Sequence, residues 1–276
     1  MLNTITPLIL TYNEASNIER SLQRLSWASR IVVIDSYSTD ETLQILQHYP
    51  HVEVFQRVFD THANQWNFGL QQVQTEWVLS LDADYCLSRE LIAEITTLDA
   101  HSDISSYFIP FKYCVFGQPL RGTLLPPREA LFRREQAVYI DDGHTQLLQV
   151  DGLSKTLHSP IYHDDRKSLN RWLWAQDRYA LLEVQKLLKT PVQELSWGDR
   201  LRRYKFIAPF AVLVYCLVLH QGLLDGWVGC YYAFQRVLAE ILLSIRLLEA
   251  ESNLKSLKKQ PDEREPTGKL LGYMRE

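Results

Sequence analysis

The stretch Trp77-Val-Leu-Ser-Leu-Asp-Ala-Asp84 sets a short apolar run directly against two carboxylates one residue apart. A run of this length reads as a strand buried on both faces, the kind a parallel sheet covered by helices requires. Ligands of open α/β sheets bind beyond the carboxyl ends of the strands, which is where Asp82 and Asp84 then stand. Hard carboxylate oxygens suit Mg²⁺ or Mn²⁺, an ion that usually bridges protein to substrate phosphates. A DxD in a surface loop is the competing reading, and the strand in front of it argues against that.

Working outward, the N-terminal side repeats one rhythm. Ile5–Leu10, Arg30–Ile34 and Val52–Gln56 read as strands. Between them, Ser16 with Glu19 and Ser38 with Glu41 form capping boxes that open helices to Leu25 and Tyr49, and Ala63–Val73 is a third helix. Strands alternating with helices imply a parallel, doubly wound sheet, so the fold class is α/β. From Ser105 to His163 the rhythm changes to short pieces, SYFIPFKY, EALFRR, AVYI and QLLQV, which read as a mixed or antiparallel extension of that sheet. Lys167–Lys189 is one long helical stretch with Trp172, Trp174 and Tyr179.

Beyond it the basic cluster RLRRYK (200–205) precedes Phe206–Leu224, which contains no Lys, Arg, Asp or Glu. Leu224-Asp-Gly226 makes a turn into a second apolar helix towards Leu248, with Arg236, Glu240 and Ser244 as a polar stripe. An apolar hairpin of about 206–248 lying in a membrane interface is the favoured reading, with a buried core or dimer hairpin and a true span as alternatives. The basic cluster supports the interface, because cations near an anionic leaflet contribute on the order of 1 kcal/mol each. The organisation expected is a catalytic part over 1–165 and a C-terminal helical, membrane-associating region over 166–276, ending in a polar tail from Glu251.

Composition excludes some classes. With 46% hydrophobic and 22% charged residues the chain is globular, and a net charge of −4 gives no general attraction to nucleic acid. Cys86, Cys114, Cys216 and Cys230 form no CxxC pair, which fits a reducing compartment, and MLNTITPLIL reads as a first strand without signal-peptide character. A cytoplasmic protein at the inner face of the cell membrane, peripheral or monotopic, is the expectation.

Further candidates surround the DxD. Asp35 ends the second strand and could accept hydrogen bonds from a nucleotide base or ribose, while Asp40 stands where a helix N-terminus favours an acid. Glu14 follows the first strand, and His163 follows a short one, from which it could complete a metal shell.

TYNEASNIERSL, IVVIDSYSTDETL, NQWNFGL and TEWVLSLDAD, in this order and spacing, resemble the inverting family 2 glycosyltransferases, whose fold is the Rossmann-like GT-A sheet for nucleotide sugars. HSPIYHDDRKSLNRW and LDGWVG resemble later segments of the branch related to lipopolysaccharide core β-glucosyltransferases. The resemblance implies that Glu14 and Asp35 contact the nucleoside, that Asp82 approaches ribose or metal, that Asp84 binds Mg²⁺ or Mn²⁺, and that His163 is its distant ligand. It also sets Gln65 and Asn67 near the diphosphate or ribose. Three positions depart from the pattern: Tyr85 follows the DxD, Trp66 replaces a basic residue, and Thr145 stands beside His144 where the family has an acid.

The implied reaction is direct displacement at an anomeric carbon, from a UDP-sugar to a glycan or lipid-linked acceptor, with Arg128, Arg133 or Arg134 near the leaving diphosphate. With Thr145 a poor base, Asp142 is the preferred general base, Asp141 the alternative, and His144 their neighbour in the catalytic set. Two rivals remain. A nucleotidyltransferase should carry a glycine-rich basic loop where TYNEAS stands, and a non-catalytic membrane-associated sugar-nucleotide binder should not turn donor over. Homo-oligomerisation through the hairpin is left open.

Overall fold

The structure is a computed structural model that describes residues 1–122, 126–142 and 145–259, without the side chains of Asp142, Thr145 and 255–259. In chain order, β1 (Ile5–Thr11), α1 (Ile18–Gln23), β2 (Ile31–Asp35), α2 (Thr42–Leu46), β3 (Val52–Gln56), α3 (His62–Gln72) and β4 (Trp77–Asp82) form the expected alternation. β5 (Tyr85–Leu87), α4 (Arg89–Thr97), β6 (Ile104–Ile109), β7 (Phe111–Val115), β8 (Gln118–Pro119) and β9 (Arg128–Arg133) follow. β10 (Ala137–Asp142), β11 (Thr145–Val150), β12 (Leu153–Thr156) and β13 (Ile161–His163) complete the strands.

The main sheet has seven strands in the order β12-β6-β9-β4-β1-β2-β3. β1 to β4 pair in parallel, and β9 runs antiparallel to both β4 and β6, so the sheet is the mixed GT-A arrangement. Alternation along the strands builds two cores. Ile9, Val33 and Leu79 face Leu22, Leu46, Leu91 and Ile95 of α1, α2 and α4. Leu8, Val32 and Val78 face Trp66 and Leu70 of α3, with Phe132 and Tyr139. Each fully buried large side chain, such as Leu8 or Phe132, contributes about 1.5–3 kcal/mol. Helix α3 approaches β1 so closely that a Cβ at Gly69 would meet Leu8 at 2.7 Å.

Several expectations change. Pro110, which lacks an N–H, divides SYFIPFKY: β6 stays in the main sheet, and β7 joins a second, four-stranded sheet, β5-β13-β7-β8. β10 and β11 form a separate antiparallel hairpin rather than extending the main sheet. Neither capping box forms. α1 begins after Asn17 and α2 after Glu41, both without a side-chain cap; the Ser38 oxygen accepts from Asn13 N and its hydroxyl donates to Asp35 instead. Helix α4, capped by the Ser88 hydroxyl accepting from Leu91 N, was not anticipated.

The C-terminal helices are α5 (Leu169–Lys189), α6 (Trp197–Arg202), α7 (Ala208–Val214) and α8 (Trp227–Lys259), with a π turn at Tyr215–Leu219 and a 3₁₀ turn at Gly222–Asp225 between the last two. The basic cluster is not a free surface patch. Arg202 bonds to Glu240, Glu183 and Asp199, Lys205 reaches Glu251, and Arg200 donates to the carbonyls of Leu195 and Gln193. The polar stripe on α8 explains this: Glu240 is buried against Arg202, and the Ser244 hydroxyl donates to the Lys205 carbonyl.

Arg202→Gln leaves Glu183, Asp199 and Glu240 with one cation fewer. Breaking a partly buried pair costs about 3 kcal/mol, so the variant should unfold at lower urea concentration. Glu240→Gln should weaken the fold similarly, with the double variant losing less than the sum. A wild-type urea midpoint for Arg202→Gln would return the cluster to the surface.

Candidate active site at the carboxyl edge of the sheet

Parallel register sets Thr11 beside Asp35 and Leu10 beside Asp82, so both aspartates reach the same edge. Asp84 stands two residues further on, and the second sheet brings its partner. β13 pairs antiparallel with β5, His163 opposite Tyr85, which carries His163 Nε2 to 3.0 Å from Asp84 Oδ2. Asp84 is buried, whereas the Asp82 side chain is 43% exposed and 3.7 Å from Arg128 Nη1.

The electrostatics follow from burial and these partners. Burial opposes the Asp84 carboxylate, but the charge and hydrogen bond of His163, helped by Lys167, hold it down at about 2. Burial likewise opposes a charged His163, and Asp84 outweighs it, so the imidazole pKa lies above its usual 6.5. Glu14 is pushed up to about 7, by burial first and the nearby Asp84 charge, against the pull of Lys167 at 2.5 Å.

Asp35 is fully buried and accepts from the Thr11 hydroxyl (3.1 Å), Ser38 N (2.9 Å), the Ser38 hydroxyl (2.5 Å) and Gln56 Nε2 (3.2 Å). Those bonds fill its acceptor capacity, so a ligand there must displace one. Gln65 is also buried, donating to the Ser36 hydroxyl and accepting from Arg57, which pairs with Asp60. Asn67 exchanges two hydrogen bonds with the backbone of Tyr139, at 2.8 and 2.9 Å, and so fastens α3 to β10. Expected beside the diphosphate or ribose, Asn67 has its amide engaged within the protein. Asp40 behaves as the structural acid expected, accepting from Thr42 N and Ala15 N.

The cations expected near a diphosphate divide. Because β9 is antiparallel to β4, Arg133 lies opposite Trp77, at the far end from Asp82. Its guanidinium covers the Trp77 ring at 4.7 Å and donates to the carbonyls of Ile104, Ala100 and Ser102. Arg134 follows it there, bonded to Glu135. Only Arg128, at the start of β9, reaches the site, donating to the Tyr85 hydroxyl at 2.8 Å. Asp141 is exposed on β10 opposite Gln146, while His144 and the Asp142 side chain lie outside the described residues.

The segment after His163 was missed as a group. Asp164 is buried, ion-paired to Arg20 and Arg166, and accepts from Gly117 N. Asn17 donates to Glu14 and Asp165 and accepts from Arg20 and Arg166 N. The signal was visible in HDDRK, a charge run directly behind a strand-borne histidine.

The sequence pattern of "Glycosyl transferase family 2" matches residues 8–155, which include both edge aspartates, Glu14 and Asp84. The chain belongs to this family. Among family relatives, the "Lipopolysaccharide core biosynthesis glycosyltransferase LpsC" of Rhizobium meliloti is 23% identical over 83% of this chain and 89% of its own. An "Uncharacterized glycosyltransferase" of Rickettsia felis is 30% identical over 90% of this chain and 94% of its own. Among solved structures, S. aureus TarS 1-349 in complex with UDP-GlcNAc is a distant likeness, with a TM-score of 0.48 and 16% identity over 91% of this chain and 92% of that one.

Proposed function

We propose that this family 2 enzyme transfers a sugar, with inversion, from a UDP-sugar to a hydroxyl of a membrane-proximal or lipid-linked glycan. The observation that carries this reading is the Asp84–His163 contact beside half-exposed Asp82 at the carboxyl edge of the parallel strands. Glu14 and Asp35 form the nucleoside end, Asp82 meets the ribose or the ion, and Gln65 and Asn67 support that pocket from behind. Residues 1–165 supply the catalytic sheet, and the region from residue 166 carries the helices described up to Lys259.

Among the described residues no three His, Cys, Asp or Glu side chains gather closely enough to hold an ion unaided. The set fits Mg²⁺ or Mn²⁺ nonetheless, since such ions take one or two protein ligands and complete their shell with water and phosphate oxygens. Asp84 and His163 would hold the ion, with Asp82 adjacent, and it would supply positive charge against the donor diphosphate. The chain's own residues do the rest. Burial of Asp84 keeps its charge strong, Arg128 fixes the Tyr85 hydroxyl and faces Asp82, and a carboxylate of the β10–β11 hairpin takes the acceptor proton. Asp142 is that base, with Asp141 as the alternative and His144 beside them. A non-catalytic sugar-nucleotide binder is distinguished by releasing no nucleoside diphosphate when water is the only acceptor.

The membrane enters through the hairpin. Phe206, Ile207, Phe210, Val214 and Leu219 are each more than half exposed in a stretch without a charged side chain before Asp225, and Trp227 just beyond it is more than half exposed too. Trp227–Leu254 is long and apolar enough to cross a bilayer, yet Glu240 on it is turned inward to Arg202. We read the hairpin as docking in the interface of the inner leaflet from the cytoplasm through apolar and aromatic groups, not through the basic cluster.

Asp84→Asn should abolish stabilisation by Mn²⁺ and nearly all transfer, and His163→Ala should weaken both less. The sign with pH follows from the raised imidazole pKa. The His163⁺–Asp84⁻ contact gives its full stability below 6.5 and loses it as pH rises through the raised value, while the ion needs the neutral ring. Stabilisation by Mn²⁺, read as a thermal shift, should therefore grow as pH rises through that range. A flat profile in wild type would remove His163 from the metal shell.

Asp142→Asn should lower transfer about 10²-fold or more and leave donor affinity within a few-fold, since a base acts in the transition state. Unchanged rates in both the Asp142→Asn and Asp141→Asn variants would remove the hairpin carboxylates from the mechanism. For the membrane, the triple variant Phe206→Ser, Phe210→Ser and Trp227→Ser should lose sedimentation with phosphatidylcholine vesicles, and wild-type binding should persist in high salt. A wild-type chain that ignores vesicles and dimerises instead would assign the face to a second copy.

A further inference from the structure

Stabilisation of the leaving group needs cations that the edge itself does not provide. Asp82, Asp84, Glu14 and Asp165 line it, and Arg128 already faces Asp82 and the Tyr85 hydroxyl. A nucleoside diphosphate adds further negative charge at the same place.

The opposite wall supplies what is missing. Lys167 stands 2.5 Å from Glu14 Oε1 and 3.9 Å from Asp165 Oδ1. One turn into α5, Arg171 reaches back to the tip of β1, where its Nη2 donates to the Tyr12 carbonyl at 3.4 Å and its guanidinium lies 5.4 Å from the Tyr12 ring. The same guanidinium is 5.3 Å from the exposed Trp174 ring, and Arg178 covers that ring at 4.8 Å. Steps of three and four residues put Arg171, Trp174 and Arg178 on one helix face. Tyr179, next to Arg178 on the helix, is half-exposed.

Two features identify the occupant. Among the described residues neither Arg171 nor Arg178 has a carboxylate partner, whereas Arg20, Arg30, Arg57, Arg202 and Arg246 each do. Guanidiniums oriented by an indole and left without a counter-ion match phosphate oxygens in geometry and charge. The line they follow is also informative. Arg171 reaches the turn after β1, and Lys167 bonds to Glu14 beside it, so this face flanks the nucleoside end with cations where a diphosphate leads away from it.

We propose that Lys167, Arg171 and Arg178 bind the donor diphosphate and receive the charge of the departing nucleoside diphosphate. The assignment rests on the reading of the cleft as a donor site. In the transfer the acceptor oxygen bonds to the anomeric carbon as the bond from that carbon to the β-phosphate oxygen breaks. The electron pair stays on the phosphate oxygen, and the acceptor proton passes to the hairpin carboxylate. Charge therefore grows on the β-phosphate, where these cations act. Without donor, Glu14 holds the Lys167 ammonium in position.

The test compares UDP with uridine, both with Mn²⁺, on the full chain, after UDP, GDP, CDP and ADP have been screened on wild type. Arg171→Gln and Arg178→Gln should each weaken UDP about 10-fold or more while uridine stays within about two-fold, and Arg178→Lys should recover part of the loss. Equal UDP affinity in wild type and both Gln variants overturns the assignment and leaves the donor site standing. Parallel loss of UDP and uridine, or a lowered melting temperature that accounts for the loss, also overturns it, because the arginines then shape the fold or the nucleoside pocket. A wild-type chain that binds none of the four diphosphates overturns the donor-site reading and this assignment together.

Discussion

A carboxylate that is buried and must remain charged is the constraint on which the rest of this site depends. Asp84 sits where desolvation alone would neutralise it, and an unpaired charge there would cost several kcal/mol. It stays ionised because His163 and Lys167 are brought to it, and neither belongs to the parallel sheet. β13 carries His163 by pairing with β5, and the next four residues carry Lys167. The second sheet and the start of α5 are thus the electrostatic complement of β4's end. Asp164, locked between Arg20, Arg166 and Gly117 N, fixes the turn between the two cations.

This gives the site a polarity along the chain. Glu14, Asp35, Asp82 and Asp84 arrive at or just beyond the ends of β1, β2 and β4, while Arg128, His163, Lys167 and Arg171 arrive later, on β9, β13 and around the start of α5. A boundary drawn at 165 therefore runs through the cluster, since Lys167 bonds to Glu14 and Arg166 N to Asn17 across it. The helical region is joined to the chemistry by ion pairs as well as by packing.

Sequence made β1, β2 and β4 legible because each is a short apolar run buried on both faces, and the DxD follows from the last, whereas β3 is a largely exposed edge strand that β-branched and aromatic residues alone mark. What stayed hidden depended on partners distant in sequence. Ser38 has the spacing of a capping residue, but its oxygen accepts from Asn13 N once β1 and β2 lie side by side, and the helix starts later. Asn67 looks like a ligand in NQWNFGL, and only the approach of β10 shows its amide bound to Tyr139 backbone. β5 is too short for its alternation to register. RLRRYK reads as a patch in one dimension, whereas the turn of α6 directs Arg202 inward to residues 19 and 38 positions away.

That inversion bears on the whole helical region. Its polar contacts are internal, Arg202 with Glu240, Lys186 with Asp199, Arg246 with Asp177, while Phe206, Phe210 and Trp227 face outward. Of these pairs Arg202–Glu240 is the most shielded, with Glu240 5% exposed, whereas Lys186 and both members of the Arg246–Asp177 pair are a third or more exposed. The outer face is also mechanically tied to the chemistry. Phe116, at the tip of the β7–β8 hairpin, stacks on Trp227 at 5.7 Å, and Tyr113 lies 4.9 Å from both Tyr232 and His163. Rings in contact transmit position because a packed core has little room to yield. Through Tyr232 and Tyr113 the hairpin is thus in packed contact with His163, the partner of Asp84.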